Sequence, residues 1–242
     1  MDLREIIISR MSRDREIFCE FFANLYNSGI CEISYDYRDD DNFSFRRKND
    51  TVGINDISVY FNDPDYFDGI VCSSDGASII SVITPTDTDF TKFADEWHMP
   101  KRRQFCKSTA TNNPGSDEIT LLDASHADIM SACTSDTARQ NYEMAVEYGG
   151  DCYAIIDGEI RCFLNTLVTK KSGMVEVVWI YTEPQYRNKG FASELLKNVS
   201  DHYASDGLTV TYHCADSNIA SAKTALKSGF IETASEIIFE RK

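Results

Sequence analysis

Apolar residues at Ile7, Met11, Phe18, Phe22 and Leu25 recur at helical spacing and predict one amphipathic helix over residues 3–27. Between 30 and 47 the period changes to two. Ile33, Tyr35 and Tyr37, then Phe43 and Phe45, alternate about the acidic turn Asp39-Asp40-Asp41, the pattern of a hairpin. Strands are predicted at 56–61 and 69–73, a turn at Asp75-Gly76, and a further strand at 78–83. Residues 88–106 read as a helix ending in Lys101-Arg102-Arg103, a basic cluster that suits a solvated helix end.

The periodic pattern then lapses. Residues 107–117, K-S-T-A-T-N-N-P-G-S-D, are polar, contain Pro114-Gly115 and have the composition of a linker. They divide the chain into an N-terminal α+β domain (1–106) and a C-terminal domain (118–242). The second part predicts a strand at 118–122, helices at 124–133 and 137–148, and strands at 152–156 and 160–168 about an Asp157-Gly158 turn. A strand at 175–182, a helix at 189–203, a strand at 208–214, a helix at 218–228 and a closing strand at 237–240 complete it. The fold class is α+β.

Composition narrows the function. Of 242 residues 42% are hydrophobic, enough for a folded core, and the net charge is −15. That balance disfavours nucleic acid and anionic membranes, both of which require clustered Lys and Arg. The eight cysteines include no C-x-x-C pair, so neither a zinc site nor a redox motif is indicated, and no metal is expected. Reduced thiols in a cytoplasmic protein are the expectation. No apolar run approaches the roughly 18 residues of a membrane span.

One segment carries chemistry. Ile180 to Ala192, I-Y-T-E-P-Q-Y-R-N-K-G-F-A, reads as a strand, a Pro-containing turn and a basic glycine loop opening a helix. Such a loop is an anion site: glycine admits close backbone approach, successive amides point one way, and the helix N-terminus adds positive dipole. It is neither a Walker A loop nor a dinucleotide G-x-G-x-x-G loop.

With its surroundings, the segment resembles the GNAT (Gcn5-related) superfamily of acyl-CoA N-acyltransferases over residues 118–242. Arg187, Gly190 and Ala192 stand at the defined loop positions and Pro184 three residues before Arg187. Asn218 follows the next strand, and Gly229-Phe230 close the helix after it. The resemblance implies a GNAT fold, acetyl-CoA as co-substrate and a primary amine of a small molecule or peptide as acceptor. The acidic surface suits a cationic amine, such as a polyamine, an aminoglycoside-like antibiotic or a Lys side chain. It places coenzyme A against the loop Arg187, Asn188, Lys189, Gly190, Phe191 and Ala192, against the backbone of Ile180, Tyr181 and Thr182, and beside Asn218. Asn218 is also suited to cap the helix it precedes.

An alkyl amine with a pKa of about 10 needs a base before it can attack. Glu176, eleven residues before Arg187 and flanked by Val175, Val177 and Val178, stands near the place of the family's catalytic Glu, which often acts through water. Glu183 reads as an exposed turn residue and His213 as structural. The chain departs from the family at Ala225, where many members have a Tyr acting as acid toward the leaving thiolate, and Tyr212 and Ser221 are the candidate substitutes. The alternative is a non-catalytic acyl-CoA-binding module or sensor. The N-terminal part is either a degenerate GNAT-like half or an unrelated α+β cap. The expected assembly is a monomer or homodimer.

Overall fold

A computed structural model describes residues 2–26, 29, 31–74, 76–111, 119–148, 150–169 and 171–242. The polypeptide forms two compact units, Met1–Gln104 with Ala215–Ser217 and Thr233–Lys242, and Phe105–Cys214 with Asn218–Glu232. The units therefore interleave in sequence. Of the expected linker 107–117, residues 112–117 lie outside the described residues, as does Asp75 of the expected 75–76 turn. Lys107 is anything but a linker residue. Its buried ammonium reaches Asp201 at 2.6 Å, Ser200 at 3.1 Å and the Ser228 carbonyl at 2.9 Å, and Thr111 adds two hydrogen bonds to Asp201.

Unit 1 contains helices α1 (Leu3–Arg13) and α2 (Cys19–Tyr26), then the antiparallel strands β1 (Glu32–Asp39), β2 (Asn42–Asn49) and β3 (Ile54–Phe61). Helix α3 (Pro64–Cys72) returns the chain to β4 (Ile79–Ile83), which pairs in parallel with β3. Strands β5 (Trp97–His98) and β6 (Lys101–Lys107) follow, and β12 (Ile231–Arg241) lies antiparallel against β4. Phe61, Phe67, Phe90, Trp97 and Phe239 fill the core between α3 and the sheet.

Three expectations are corrected in this unit. The helix over 3–27 is two helices: Asp14 ends α1 by pairing with Arg10 at 2.6 Å, and its carbonyl accepts from Ile17 and Phe18. The break is needed because α2 buries Phe21 as well as Phe22, a different face from the one that continues Ile7 and Met11. The strand expected at 69–73 is the end of α3, whose start is signalled by Asp63 capping the Asp65 amide and Pro64 in the first turn. The helix expected at 88–106 is a single 3-10 turn at Thr91–Phe93 followed by β5 and β6. Pro100 holds the preceding residue extended, and Gln104 to Lys107 are all buried. Lys101-Arg102-Arg103 thus opens a strand, with Arg102 paired at 2.7 Å to the buried Glu236.

Unit 2 begins with β7 (Ile119–Leu122), α4 (Ala127–Ser131) and α5 (Asp136–Tyr148). Strands β8 (Asp151–Asp157), β9 (Glu159–Thr169) and β10 (Met174–Thr182) are antiparallel, and β7 pairs with β8. Then come α6 (Phe191–Ser205), β11 (Thr209–Ala215), parallel to β10, and α7 (Ile219–Lys227). Alternation on β9 divides the core between two faces. Cys162 and Leu164 pack with Leu195, Val199 and Ala222 of α6 and α7, whereas Phe163 packs with Met130, Ala138 and Tyr142 of α4 and α5.

The fold is α+β with mainly antiparallel pairing, as expected. Each unit has the same order of elements: two helices, three antiparallel strands, a helix, and a strand parallel to the third. Among the described residues no helix is long and apolar enough to cross a membrane.

Candidate active site

The parallel register of β10 and β11 runs from Met174–Thr209 to Val177–Tyr212 and ends there among the described residues. Yet β10 continues to Thr182. A register shift against β9 between Val177 and Trp179 marks a bulge at Val178, after which β10 pairs with β9 alone. Five residues, roughly 16 Å of strand at 3.3 Å each, thus have one backbone edge free. In unit 1 the corresponding pair, β3 and β4, stays in register to Tyr60–Ile83, one residue before β3 ends.

The turn leaving β10 is held from below. Glu183 is 3% exposed, and its carboxylate accepts the Thr134 amide at 2.8 Å and the Thr134 hydroxyl. Burial opposes its ionisation, but hydrogen bonds from Thr134 and Cys133, aided by the charge of Arg187, hold its pKa below the usual carboxylate value. The expectation of an exposed turn residue is corrected: Glu183 anchors the turn to the segment between α4 and α5. Arg161 supports the next residues, its guanidinium 5.5 Å from the Tyr186 ring and 5.4 Å from that of Phe191.

Two left-handed residues shape the loop, Asn188 at φ 61° and Gly190 at φ 94°. They turn successive amides toward the start of α6, whose N-cap Gly190 has no side chain to accept those donors. A Cβ at Gly190 would meet nothing within 4 Å, so backbone conformation, not crowding, requires the glycine. In unit 1 the equivalent helix end is blocked, because Asp63 itself accepts from the first turn of α3.

Strand edge, loop and helices enclose a cleft of about 810 Å³, within the roughly 300–1,000 Å³ of small-molecule sites. One wall is Ile180 to Thr182 and the loop; the other is α7 from Asn218 to Lys227. Arg187, Lys223 and Lys227 line it and no Asp or Glu does, in a chain of net charge −15. Arg187 is oriented by its Nε bond to the Thr182 carbonyl at 3.1 Å and by the Tyr181 ring 5.7 Å away. At the vertex where the strands part, the Tyr212 phenol, its pKa raised by burial, is hydrogen-bonded to Ser221 of α7. This geometry suits an elongated polyanionic ligand that lays a polar chain along β10.

The acetyltransferase (GNAT) family profile matches residues 119–230. These residues belong to the GNAT acetyltransferase family. The protein is accordingly an acyltransferase. Solved structures share the fold over nearly the whole chain. A GNAT-family acetyltransferase from Colwellia psychrerythraea is 13% identical, covers 97% of both chains and has a TM-score of 0.55. A GCN5-related N-acetyltransferase from Kribbella flavida is 9% identical over 93% of this chain and 95% of its own, with a TM-score of 0.54. A Drosophila protein is 12% identical over 99% and 90%, also at 0.54. No curated protein matches the chain.

Of the residues expected at the coenzyme site, the GNAT cleft brings together Ile180, Tyr181, Thr182, Arg187, Asn188, Gly190, Phe191, Ala192 and Asn218. Lys189 is not in the lining; its ammonium lies 5.1 Å from the Tyr186 ring. Asn218 caps α7, accepting the Ser221 amide at 3.1 Å. Glu176 is half-buried on β10 opposite Leu167 and Thr211, one residue from the vertex, and is not a lining residue. Ala225 is fully buried and likewise outside the lining. The sequence reading missed Tyr186, Ser193, Ile219, Ala220, Lys223, Thr224 and Lys227. The last five were accessible from helical periodicity, since they fall opposite the buried Ala222 and Ala225 of α7.

Proposed function

We propose that the cleft binds acetyl-CoA and that the protein transfers the acetyl group to a primary amine of a small molecule or peptide by direct attack. The observation that carries this reading is the meeting of the unpaired edge of β10 with a cation-lined cleft free of carboxylates. The pantetheine amides of acetyl-CoA pair with Ile180 to Thr182 as an added strand would. Its pyrophosphate takes the amides of Asn188 to Ala192 and the charge of Arg187. An amide of β10 polarises the thioester carbonyl.

The amine nitrogen bonds to the carbonyl carbon as the carbon–sulfur bond breaks. The amine's proton passes through water to Glu176, and the sulfur leaves as thiolate. With Ala225 at the family's usual tyrosine position, the Tyr212 phenol stabilises that thiolate by donating a hydrogen bond, itself supported by Ser221. A covalent enzyme intermediate is disfavoured by the Cys162 thiol, pushed up to about 12 by burial.

Unit 1 is a degenerate second half of the same architecture, whose blocked helix end and closed strand pair leave it no equivalent site. Calorimetric titration with acetyl-CoA, followed by CoA-release assays over polyamines, aminoglycosides and lysine peptides, tests the reading. Binding with turnover of at least one amine is expected. Binding without turnover of any amine favours the non-catalytic module, and absence of binding overturns the assignment.

A further inference from the structure

Strand alternation assigns the side chains of β9, β10 and β11 to two faces of the unit 2 sheet. Leu164, Val168, Val177, Ile180 and Tyr212 pack in the cluster of α6 and α7. Phe163 and Tyr181 pack in the cluster of α4 and α5 on the other face. Counting by twos from these residues, Asn165, Leu167, Glu176, Trp179 and His213 share that second face. The register makes them neighbours. Leu167 lies opposite Glu176, Asn165 lies opposite Trp179, and Glu176 lies opposite Thr211, two residues before His213. A Glu176 carboxylate oxygen and a His213 ring nitrogen are within 4.8 Å of each other.

This part of the face is not packed like a core. Leu167 is 42% exposed, Trp179 36% and Val178, in the bulge between them, 44%. Large apolar side chains exposed together in this way mark a binding surface. Asn165 is the opposite case. It is 7% exposed, and among the described residues no hydrogen bond reaches its Oδ1. A buried amide oxygen without a donor is costly unless a ligand supplies one.

Glu176 is the one carboxylate in these strand rows. A polyamine would lay its further ammonium groups along Leu167, Val178 and Trp179, losing their water with no carboxylate in return. An amine with a single charge on an apolar body meets the same surface without that loss. Its body covers the exposed apolar side chains while its nitrogen stands at Glu176. The face also lies across the sheet from Tyr212, which lines the cation-bearing cleft, so a ligand on it does not compete with one in that cleft.

We propose that this face is the acceptor subsite, and that it takes a primary amine carried on an aromatic or other apolar body. Trp179, Val178 and Leu167 form its wall, the Asn165 amide oxygen accepts a hydrogen bond from the ligand, and Glu176 and His213 stand at the amine. The inference rests on the acyl-transfer reading above and narrows the class of its acceptor.

The test uses the full chain with 2-phenylethylamine and with spermidine. CoA release at saturating acetyl-CoA reads turnover, and calorimetric titration of each amine in the presence of coenzyme A reads binding without transfer. Wild type is expected to show kcat/KM at least about tenfold higher for 2-phenylethylamine, the scale on which apolar pockets discriminate. Trp179→Ala is expected to raise the KM for 2-phenylethylamine about tenfold with kcat within about twofold, and Trp179→Phe to restore most of the loss. Failure of 2-phenylethylamine to bind, a wild-type preference for spermidine, or an unchanged KM in Trp179→Ala overturns the subsite. Binding of 2-phenylethylamine that Trp179→Ala weakens, without acetylation of any amine, sinks the transfer reading instead and leaves the subsite standing.

Discussion

The Tyr212 phenol and the Ser221 hydroxyl are hydrogen-bonded to each other where the register of β10 and β11 stops. Burial raises the phenol's pKa, so it keeps its proton through neutral pH. A thiol has a pKa of about 8.5, so full transfer from this phenol to a thiolate is uphill. In the proposed mechanism its contribution is a hydrogen bond that strengthens as charge develops on sulfur. Tyr212→Phe is expected to lower kcat about tenfold with the Kd for acetyl-CoA within about twofold, and Ser221→Ala to lower kcat less. Stopped-flow CoA release combined with calorimetry separates the two effects. An equal loss in binding would make the pair structural.

Glu176 pairs across to Thr211, the residue beside Tyr212, so by strand alternation the proposed base and the Tyr212 phenol stand on opposite faces of the sheet, one residue from the vertex. Glu176→Gln preserves shape and removes the proton acceptor. It is expected to reduce amine acetylation at least about tenfold, leave acetyl-CoA binding intact and abolish the acidic limb of the kcat/KM profile. Unchanged turnover removes Glu176 from the mechanism.

Gly190 and Gly158 make a matched pair of left-handed glycines, at φ 94° and 71°, each with open space where a Cβ would stand. Changing either to Ala costs about 1–2 kcal/mol of stability from backbone strain, measurable by urea unfolding. Only Gly190 lies in the loop to which the proposed reading assigns the pyrophosphate. Gly190→Ala is therefore expected to weaken acetyl-CoA binding about tenfold or more, with Gly158→Ala leaving it unaltered.

Unit 2 was largely legible in the sequence because local and tertiary signals agree there. The Asp157-Gly158 turn, the glycine loop and the Asn218 cap each punctuate strongly periodic segments. Unit 1 was not. The apolar run at 69–73 fits a strand as well as a helix, and only Asp63-Pro64 upstream decides between them. The segment 88–106 lacks alternation because Arg102 is half-buried through its ion pair with Glu236, which no local pattern shows. At the site, residues fixed by backbone conformation were found. Those fixed by side-chain partnership, such as Glu183, were not, since Thr134 lies 49 residues away in sequence. The shared element order of the two units emerges only once α3 is seen as a helix, whose first turn Asp63 caps, unlike that of α6.

Glu183 joins the loop to the rest of unit 2, and its removal tests whether the loop is prepared before ligand arrives. Its carboxylate accepts from Thr134, and its amide donates to the Arg161 carbonyl at 3.1 Å. Glu183→Ala removes the acceptor of the Thr134 amide, at a cost of about 0.5–1.5 kcal/mol, because Thr134 is exposed and its hydroxyl keeps the Tyr181 phenol. Because the folded-state pKa is depressed, the carboxylate's contribution is present above its ordinary value of 4.5 and is lost as pH falls through the lower folded value. Urea unfolding of wild type is therefore expected to show stability declining below that value more steeply than in Glu183→Ala. The binding readout is independent of this. If Glu183 preorganises the loop, Glu183→Ala weakens acetyl-CoA binding at pH 7 and at 20 °C below its melting midpoint, where the variant is fully folded. If affinity is unchanged under those conditions, Glu183 stabilises the fold alone, and the cation–π platform of Arg161, Tyr186 and Phe191 suffices to hold the loop in place.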